Sequence, residues 1–305
     1  MLQVVSQESN SAVLRHRLGL SGSISLPTFL ILGLAGVILV FGGAGQTLTG
    51  SESSQALQRL VSQVMAGRRG SVVVLDVKTG RVMAEYRKVI ATRTLAHPGS
   101  TIKPFILLAL LESGKVDAGT AVICPRQFHV GTRRLDCSHP VTSEPIAATA
   151  LVYSCNTYFA KNGSRVTGDE LKQPRNEEER ELLALGLDGV EVTPLAAAYR
   201  RLALRRLQAP TPGGAMETVL HGLEGSAEYG MAQLAEIPGL PVAGKTGTAP
   251  ALNGSWTNAW FAGYAPTREP EIAVMVFLER GPGGIDAAPI ARKVFAAYRA
   301  SKGKP

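Results

Sequence analysis

Apolar positions along the chain change their spacing several times, and each change marks an element. From Leu26 to Ala44 nineteen residues pass without a charge, close to the roughly 20 that cross a bilayer as a helix. Gly42 to Ser54 then turns rich in Gly and Ser, the composition of a linker. Leu57, Leu60, Val61 and Val64 follow at helical spacing and predict a short amphipathic helix over Gln55 to Met65. Ser71 to Glu85 reads as two apolar strands around Asp76-Val77-Lys78-Thr79-Gly80.

The stretch from Ser100 to Ser113 predicts the most informative helix. Pro104 falls in its first turn, where a missing N–H costs little, and Gly114 follows as a stop. Ile102, Phe105, Ile106, Leu107, Leu108, Leu110 and Leu111 cover nearly its whole circumference, so it must be buried, with Ser100 at the start of a rigid central element. Near the C-terminus, Trp256 to Tyr264 and Glu271 to Leu278 read as strands and Ala287 to Tyr298 as a helix. The second of these strands is apolar on both sides, as expected of a strand covered on two faces.

A chain of 305 residues, 45% hydrophobic, can bury the core of one large domain or two modest ones. Arg15, His16 and Arg17 precede the apolar run, which places the N-terminus in the cytoplasm and everything after Gly45 outside. The segment predicts a retained anchor; a cleaved signal peptide, with Phe29 to Phe41 as its apolar region and Gly42 to Gly45 as its cleavage site, leads to the same exported domain. The formal net charge of +8 carries no nucleic-acid fold signature with it, so nucleic acid is not expected as a partner. The basic residues Arg200, Arg201, Arg205 and Arg206 beside Tyr199, and Arg133 with Arg134, read as solvated faces, with attraction to anionic wall polymer or lipid phosphate as the functional alternative.

Cys124, Cys137 and Cys155 are the only cysteines. Outside the cytoplasm a disulfide between Cys124 and Cys137 is plausible and is the expectation, with Cys155 a packed free thiol. Cys124, His129, Cys137 and His139 offer four zinc ligands, but at a spacing that fits no common zinc signature, so neither metal nor cofactor is expected.

Three separated signatures carry the chemistry: Ser100-Thr101-Ile102-Lys103, Ser154-Cys155-Asn156 and Lys245-Thr246-Gly247. A serine hydroxyl is a poor nucleophile and needs a base within reach. Ser100 and Lys103, three apart on a helix, share a face. Lys103 can act as that base when burial and nearby positive charge, from Lys245 and the helix N-terminus, keep it partly neutral. The order S-x-x-K, S-x-N, K-T-G, with the surrounding His97 to Phe105, Tyr153 to Phe159 and Gly244 to Ala249, resembles the penicillin-binding transpeptidases. Asp76 to Gly80, Val192 to Leu195 and Trp260 to Pro266 are similar to further stretches of that family, so the resemblance runs from about Ser71 to the C-terminus.

The resemblance implies an α/β fold of the α+β kind. An antiparallel sheet is built from Ser71 to Leu95 and Leu240 to Lys302, a mostly helical lobe from Ala96 to Gly239, and the catalytic cleft lies between them. The expected domains are a cytoplasmic N-terminus over 1–25, a transmembrane anchor over 26–44, a linker with a short helix over 45–70 and the catalytic domain over 71–305. By resemblance, Ser154 relays a proton to the leaving amine and Asn156 holds Lys103 and the substrate amide. Lys245 and Thr246 meet a substrate carboxylate, Gly247 lets substrate backbone approach, and the N–H groups of Ser100 and Thr248 form the oxyanion hole. Two departures stand out: the stretch between Phe159 and Val192 is short and charged, and Gly45 to Ser71 leaves no room for a pedestal domain, which leaves partnership with a glycosyltransferase open.

The expected activity is that of a D,D-transpeptidase or D,D-carboxypeptidase of a bacterial cell membrane, single-pass, acting outside it on peptidoglycan stem peptides and trapped by β-lactams. Two alternatives stand beside it. A β-lactamase needs a base for deacylation, for which Glu179-Arg180-Glu181-Leu182 is the available segment. A non-catalytic β-lactam or muropeptide sensor or scaffold is the other, although the 25 residues before Leu26 are too few for an output domain.

Overall fold

The computed structural model describes residues 50–88, 97–139, 144–163, 165, 192–208, 214–251 and 254–303. The expected anchor over 26–44, the residues before it, the first part of the linker and the Glu179 to Leu182 segment lie outside the described residues. Among the described residues no helix is long and apolar enough to cross a membrane.

Five strands form one antiparallel sheet drawn from both ends of the chain. They are β1 (Gly70–Asp76), β2 (Val82–Tyr86), β5 (Ala243–Pro250), β6 (Thr257–Ala265) and β7 (Ile272–Leu278), in the order β2-β1-β7-β6-β5. Alternation along β1 and β7 sorts the core into two layers. Val72, Val74, Val274, Val276 and Leu278 face α1 (Gly50–Val64) and the C-terminal helix α7 (Ala288–Ser301), with Leu57, Val61, Val294 and Phe295. Val73, Leu75, Ala273, Met275 and Phe277 face the other way, toward α5 (Val192–Gln208) and the helical lobe. This double cover is the reason for the two-sided apolar pattern of β7.

The lobe holds α2 (Lys103–Glu112), α3 (Ala147–Val152), α4 (Asn156–Gly163) and α6 (Ala215–Glu228). Helix α2 buries Ile106, Leu107, Leu108 and Leu110, each worth about 1.5–3 kcal/mol in removal from water. The predicted helix over Ser100 to Ser113 begins differently from expectation: Gly99–Ile102 is a turn of 3-10 helix, and α-helix starts at Lys103. Pro104 has no N–H to give the Ser100 carbonyl in an α bond, so the Lys103 N–H takes that carbonyl three residues on. A second, two-stranded sheet, β3 (Gln127–Val130) with β4 (Arg133–Asp136), was not anticipated within the helical lobe. Its two-residue turn has Gly131 at φ 54°, a conformation glycine adopts freely. Charges at His129, Arg133 and Arg134 hide the strand pattern, and the Gly-Thr turn was the available signal.

Candidate active site

The nucleophile turn lies against the edge strand β5. Gly99, at φ 54°, comes so near that a Cβ on it would stand 3.2 Å from the Thr248 carbonyl oxygen. A Cβ on Gly247 would stand 2.5 Å from the Pro98 carbonyl oxygen. The two glycines therefore let turn and strand touch, and the close approach that Gly247 permits in this structure is that of the nucleophile turn. Thr101 secures the turn through Oγ1 to the Pro98 carbonyl at 2.7 Å, and the Tyr199 hydroxyl on α5 donates to the Thr101 carbonyl at 2.7 Å.

Lys103 is fully buried and makes three hydrogen bonds into the second motif. Its Nζ donates to the Ser154 carbonyl at 2.9 Å, to Ser154 Oγ at 3.2 Å and to Asn156 Oδ1 at 2.6 Å. Asn156 Nδ2 in turn donates to the Asp136 carbonyl at the end of β4, at 2.7 Å. Ser154 adopts φ 57°, a strained state for a non-glycine residue that persists only where the surroundings dictate it. Burial pushes Lys103 down to about 8, against the opposing influence of Cys155 and Cys137. No carboxylate among the described residues pairs with it, and a lysine so placed is in part neutral near physiological pH, as a base must be.

Lys245, Thr246, Gly247 and Thr248 lie on β5, but they do not share one exposure. Lys245 is fully buried, its Nζ donating to the Thr246 carbonyl at 3.1 Å, and burial first and the Lys103 charge second hold it well below the usual lysine value. It lies near enough to Lys103 for the two charges to oppose each other, on the face of β5 that Gly247 turns to the nucleophile turn. Thr246, whose Oγ1 donates to the Met231 carbonyl at 3.2 Å, and Thr248, whose Oγ1 accepts from the Gly283 N–H at 2.9 Å, face a cavity of about 470 Å³. Ser100, Ser154 and Asn156 line the same cavity. Thus six of the eight expected residues converge: five face the cavity, with Lys103 bonded directly behind two of them.

Sequence reasoning missed Leu135, Ser138 and Met231, which also line the cavity, and noted Arg134 for its charge without placing it there. Arg134 and Leu135 arrive on the unanticipated hairpin. The arginines of α5 are only in part the solvated face expected of them. Arg200 donates to the carbonyls of Val77 and Lys78, at 2.8 and 3.0 Å, Arg205 pairs with Glu112 on α2, and Arg206 is buried. Arg200 and Arg205 fasten the helix to the sheet and to α2, and Arg201 and Arg205 remain exposed as read.

The cysteines also depart from expectation. Cys124 and Cys137 are not bridged, and all three thiols are free and buried. Cys155 is a packed free thiol as expected, with its sulfur 4.0 Å from that of Cys137, while Cys124 Sγ is 3.6 Å from His139 Nε2. The ligand atoms of Cys124, Cys137, His139 and Cys155 all fall within 4.8 Å of one another, so this is the group that could hold a metal ion. His129, the fourth member of the sequence reading, is exposed on β3, and Cys155 occupies its place.

Comparison with known proteins places this geometry. The chain matches the penicillin binding protein transpeptidase domain over residues 70–176 and 208–296. It is 25% identical over 291 residues to the peptidoglycan D,D-transpeptidase FtsI of Escherichia coli, covering 72% of this chain and 49% of that one. It is 28% identical to the peptidoglycan D,D-transpeptidase PbpA of Mycobacterium tuberculosis, covering 68% and 55%. It is 24% identical to the peptidoglycan D,D-transpeptidase MrdA of Acinetobacter baumannii, covering 78% and 52%. The chain thus spans about half the length of the curated relatives it matches. Among solved structures, PBP2 of Pseudomonas aeruginosa in complex with WCK 5153 superposes with a TM-score of 0.67 at 21% identity, over 80% of this chain and 74% of that one. The D,D-transpeptidase domain of a peptidoglycan glycosyltransferase from Eggerthella lenta gives 0.66 at 20% identity, over 80% and 81%. With the family match extending over more than half of its length and along all three motifs, the chain belongs to the penicillin-binding protein transpeptidase family.

Proposed function

We propose that this protein is a D,D-transpeptidase acting on peptidoglycan stem peptides through an ester on Ser100, and that β-lactams trap it at that stage. The observation that carries the reading is the convergence of Ser100, Ser154, Asn156, Thr246 and Thr248 on one cavity, with the buried Lys103 bonded to Ser154 and Asn156 behind them. Ser100 Oγ attacks the carbonyl of the penultimate D-Ala, and its proton passes to neutral Lys103. The carbonyl oxygen, negative in the tetrahedral state, is held by the N–H groups of Ser100 and Thr248. As the C–N bond breaks, the proton travels from Lys103 through the Ser154 hydroxyl to the departing amine. The amine of a second stem peptide then attacks the ester and releases Ser100.

Thr246 and Thr248 offer hydroxyls to the terminal carboxylate of the donor peptide. Lys245 acts from its buried place beside Lys103, and a bound carboxylate restores to it the charge that burial disfavours. Arg134, on the rim, presents a guanidinium suited to a further carboxylate of the stem.

Incubation with a pentapeptide-bearing lipid-linked glycan strand tests the reading. Released D-Ala together with a cross-linked dipeptide bridge, both lost in Ser100→Ala, is the expected result. Released D-Ala without cross-links identifies a carboxypeptidase, and neither product overturns the enzymatic reading. We further propose that the segment over 26–44 anchors the domain on the outer side of a bacterial cell membrane, which the charge asymmetry around it supports. Protease added to spheroplasts is expected to digest the domain, while a soluble species beginning near Gln46 identifies a cleaved signal peptide instead.

A further inference from the structure

We propose that Cys124, Cys137, Cys155 and His139 form a tetrahedral site for a zinc-class divalent ion, and that the ion fixes the second catalytic motif in place. A tetrahedral zinc with metal–sulfur and metal–nitrogen bonds of about 2.3 and 2.0 Å separates its sulfurs by about 3.8 Å and a sulfur from a nitrogen by about 3.6 Å. The Cys137 to Cys155 separation of 4.0 Å and the Cys124 to His139 separation of 3.6 Å match those edges, and the remaining pairs lie within 4.8 Å. A disulfide demands sulfurs about 2.05 Å apart. Four ligands and complete burial describe a closed, structural site rather than one with a position open to water.

Two further features of the surroundings suit thiolates. The Thr157 N–H, in the first turn of α4, points at Cys137 Sγ at 3.4 Å. Thr157 Oγ1 lies 3.3 Å from Cys137 Sγ and 3.5 Å from Cys124 Sγ, so its hydroxyl can donate to one of them once both have lost their protons to the metal. Backbone and hydroxyl donors of this kind orient metal-bound sulfur and temper its charge. On binding, each cysteine that is protonated releases its proton to solvent and His139 ligates as neutral imidazole, so three thiolates and one divalent ion leave a net charge of about −1.

The consequence for the site follows from where the ligands lie along the chain. Cys124 precedes the β3–β4 hairpin and Cys137 follows it, so an ion shared by both closes the hairpin at its base, and that hairpin delivers Arg134 and Leu135 to the cavity. Cys155 stands between Ser154 and Asn156, the two residues to which Lys103 donates. A metal bond at Cys155 therefore over-determines the turn in which Ser154 keeps φ 57°. The three cysteines and His139 act as positioning residues, and none of them lines the cavity.

Metal content of the purified full chain, measured by mass spectrometry after dialysis, tests the assignment independently of any acyl-transfer activity. One equivalent of zinc is expected, retained by His129→Ala and lost from Cys137→Ser. Cobalt(II) added to protein stripped with chelator is expected to give the intense visible bands of a tetrahedral ion and thiolate-to-metal charge transfer in the near ultraviolet. Stripping is expected to lower the thermal midpoint by several degrees, to open all three thiols to alkylation, and to slow penicillin acylation, with zinc reversing each change. If Cys137→Ser fails to fold, the cobalt spectrum of the unaltered chain decides alone. Stripped and zinc-treated protein with the same midpoint and no bound metal overturns the proposal, as does a Cys137 to Cys155 disulfide found by non-reducing peptide mapping.

Discussion

Lys103 and Asn156 hold each other across the cavity floor: Nζ donates to Oδ1 at 2.6 Å, and Asn156 is itself pinned by Nδ2 donating to the Asp136 carbonyl at 2.7 Å. One amide thus orients the base and ties it to the hairpin. Replacing Asn156 by Ala removes both links, and a misplaced general base costs on the order of 10²-fold in rate. Asn156→Ala is expected to reduce the second-order rate of penicillin acylation by roughly 10²-fold while leaving the thermal midpoint within a few degrees; stopped-flow acylation and calorimetry on the same sample check both.

The buried environment of Lys103 gives the reaction a pH signature. Its value lies near 8, below the 10.5 of a free lysine, so the neutral base accumulates as pH rises through about 8. Acylation at limiting penicillin is expected to rise with pH along a single-proton limb with a midpoint near 8. The same displacement has a stability counterpart. Between about 8 and 10.5 the folded protein holds fewer protons on this group than the unfolded chain, so this group's contribution to stability increases with pH across that window. A pH-rate profile paired with denaturant unfolding across the same range measures both.

Gly247→Ala tests the contact between strand and nucleophile turn. The added methyl meets backbone, the Pro98 carbonyl oxygen at 2.5 Å, which cannot swing aside as a side chain could. A cost of about 1–3 kcal/mol is expected from such overpacking, together with slowed acylation because Ser100 rides on the displaced turn. Chemical denaturation and acylation kinetics on the variant report the two effects separately.

The lifetime of the acyl-enzyme separates a transpeptidase from a β-lactamase. Among the described residues lining the cavity there is no carboxylate to activate water, and the absence of a general base costs roughly 10²–10⁴-fold. The penicilloyl adduct is therefore expected to persist for many minutes, with nitrocefin consumed in one stoichiometric burst. Steady turnover of nitrocefin, abolished by Glu179→Ala, would instead assign deacylation to the segment around Glu179.

Much of this site was legible because its chemistry is carried by short runs whose residue types are constrained. Ser100, Lys103, Ser154, Asn156, Thr246 and Thr248 meet where three such runs meet, and the apolar circumference of the helix after Ser100 correctly announced a buried element. What sequence could not supply is distance across the fold. Whether Cys124 faces Cys137 or His139, and whether Cys155 joins them, depends on how the hairpin folds back over the second motif. That hairpin was itself hidden by His129, Arg133 and Arg134. The same limit explains Lys245, whose full burial beside Lys103 depends on what packs over β5, and Arg200, whose bonds to Val77 and Lys78 cross from lobe to sheet. The 3-10 start of the nucleophile helix, by contrast, follows from Pro104 alone.

The central claim is that Ser100 is the nucleophile, and intact-mass measurement after incubation with excess benzylpenicillin tests it most directly. One penicilloyl group per chain is expected, mapping to the peptide that contains Ser100 and missing from Ser100→Ala and Lys103→Met. Protein that stays unmodified at saturating drug, or an adduct that maps elsewhere and survives Ser100→Ala, would contradict the account.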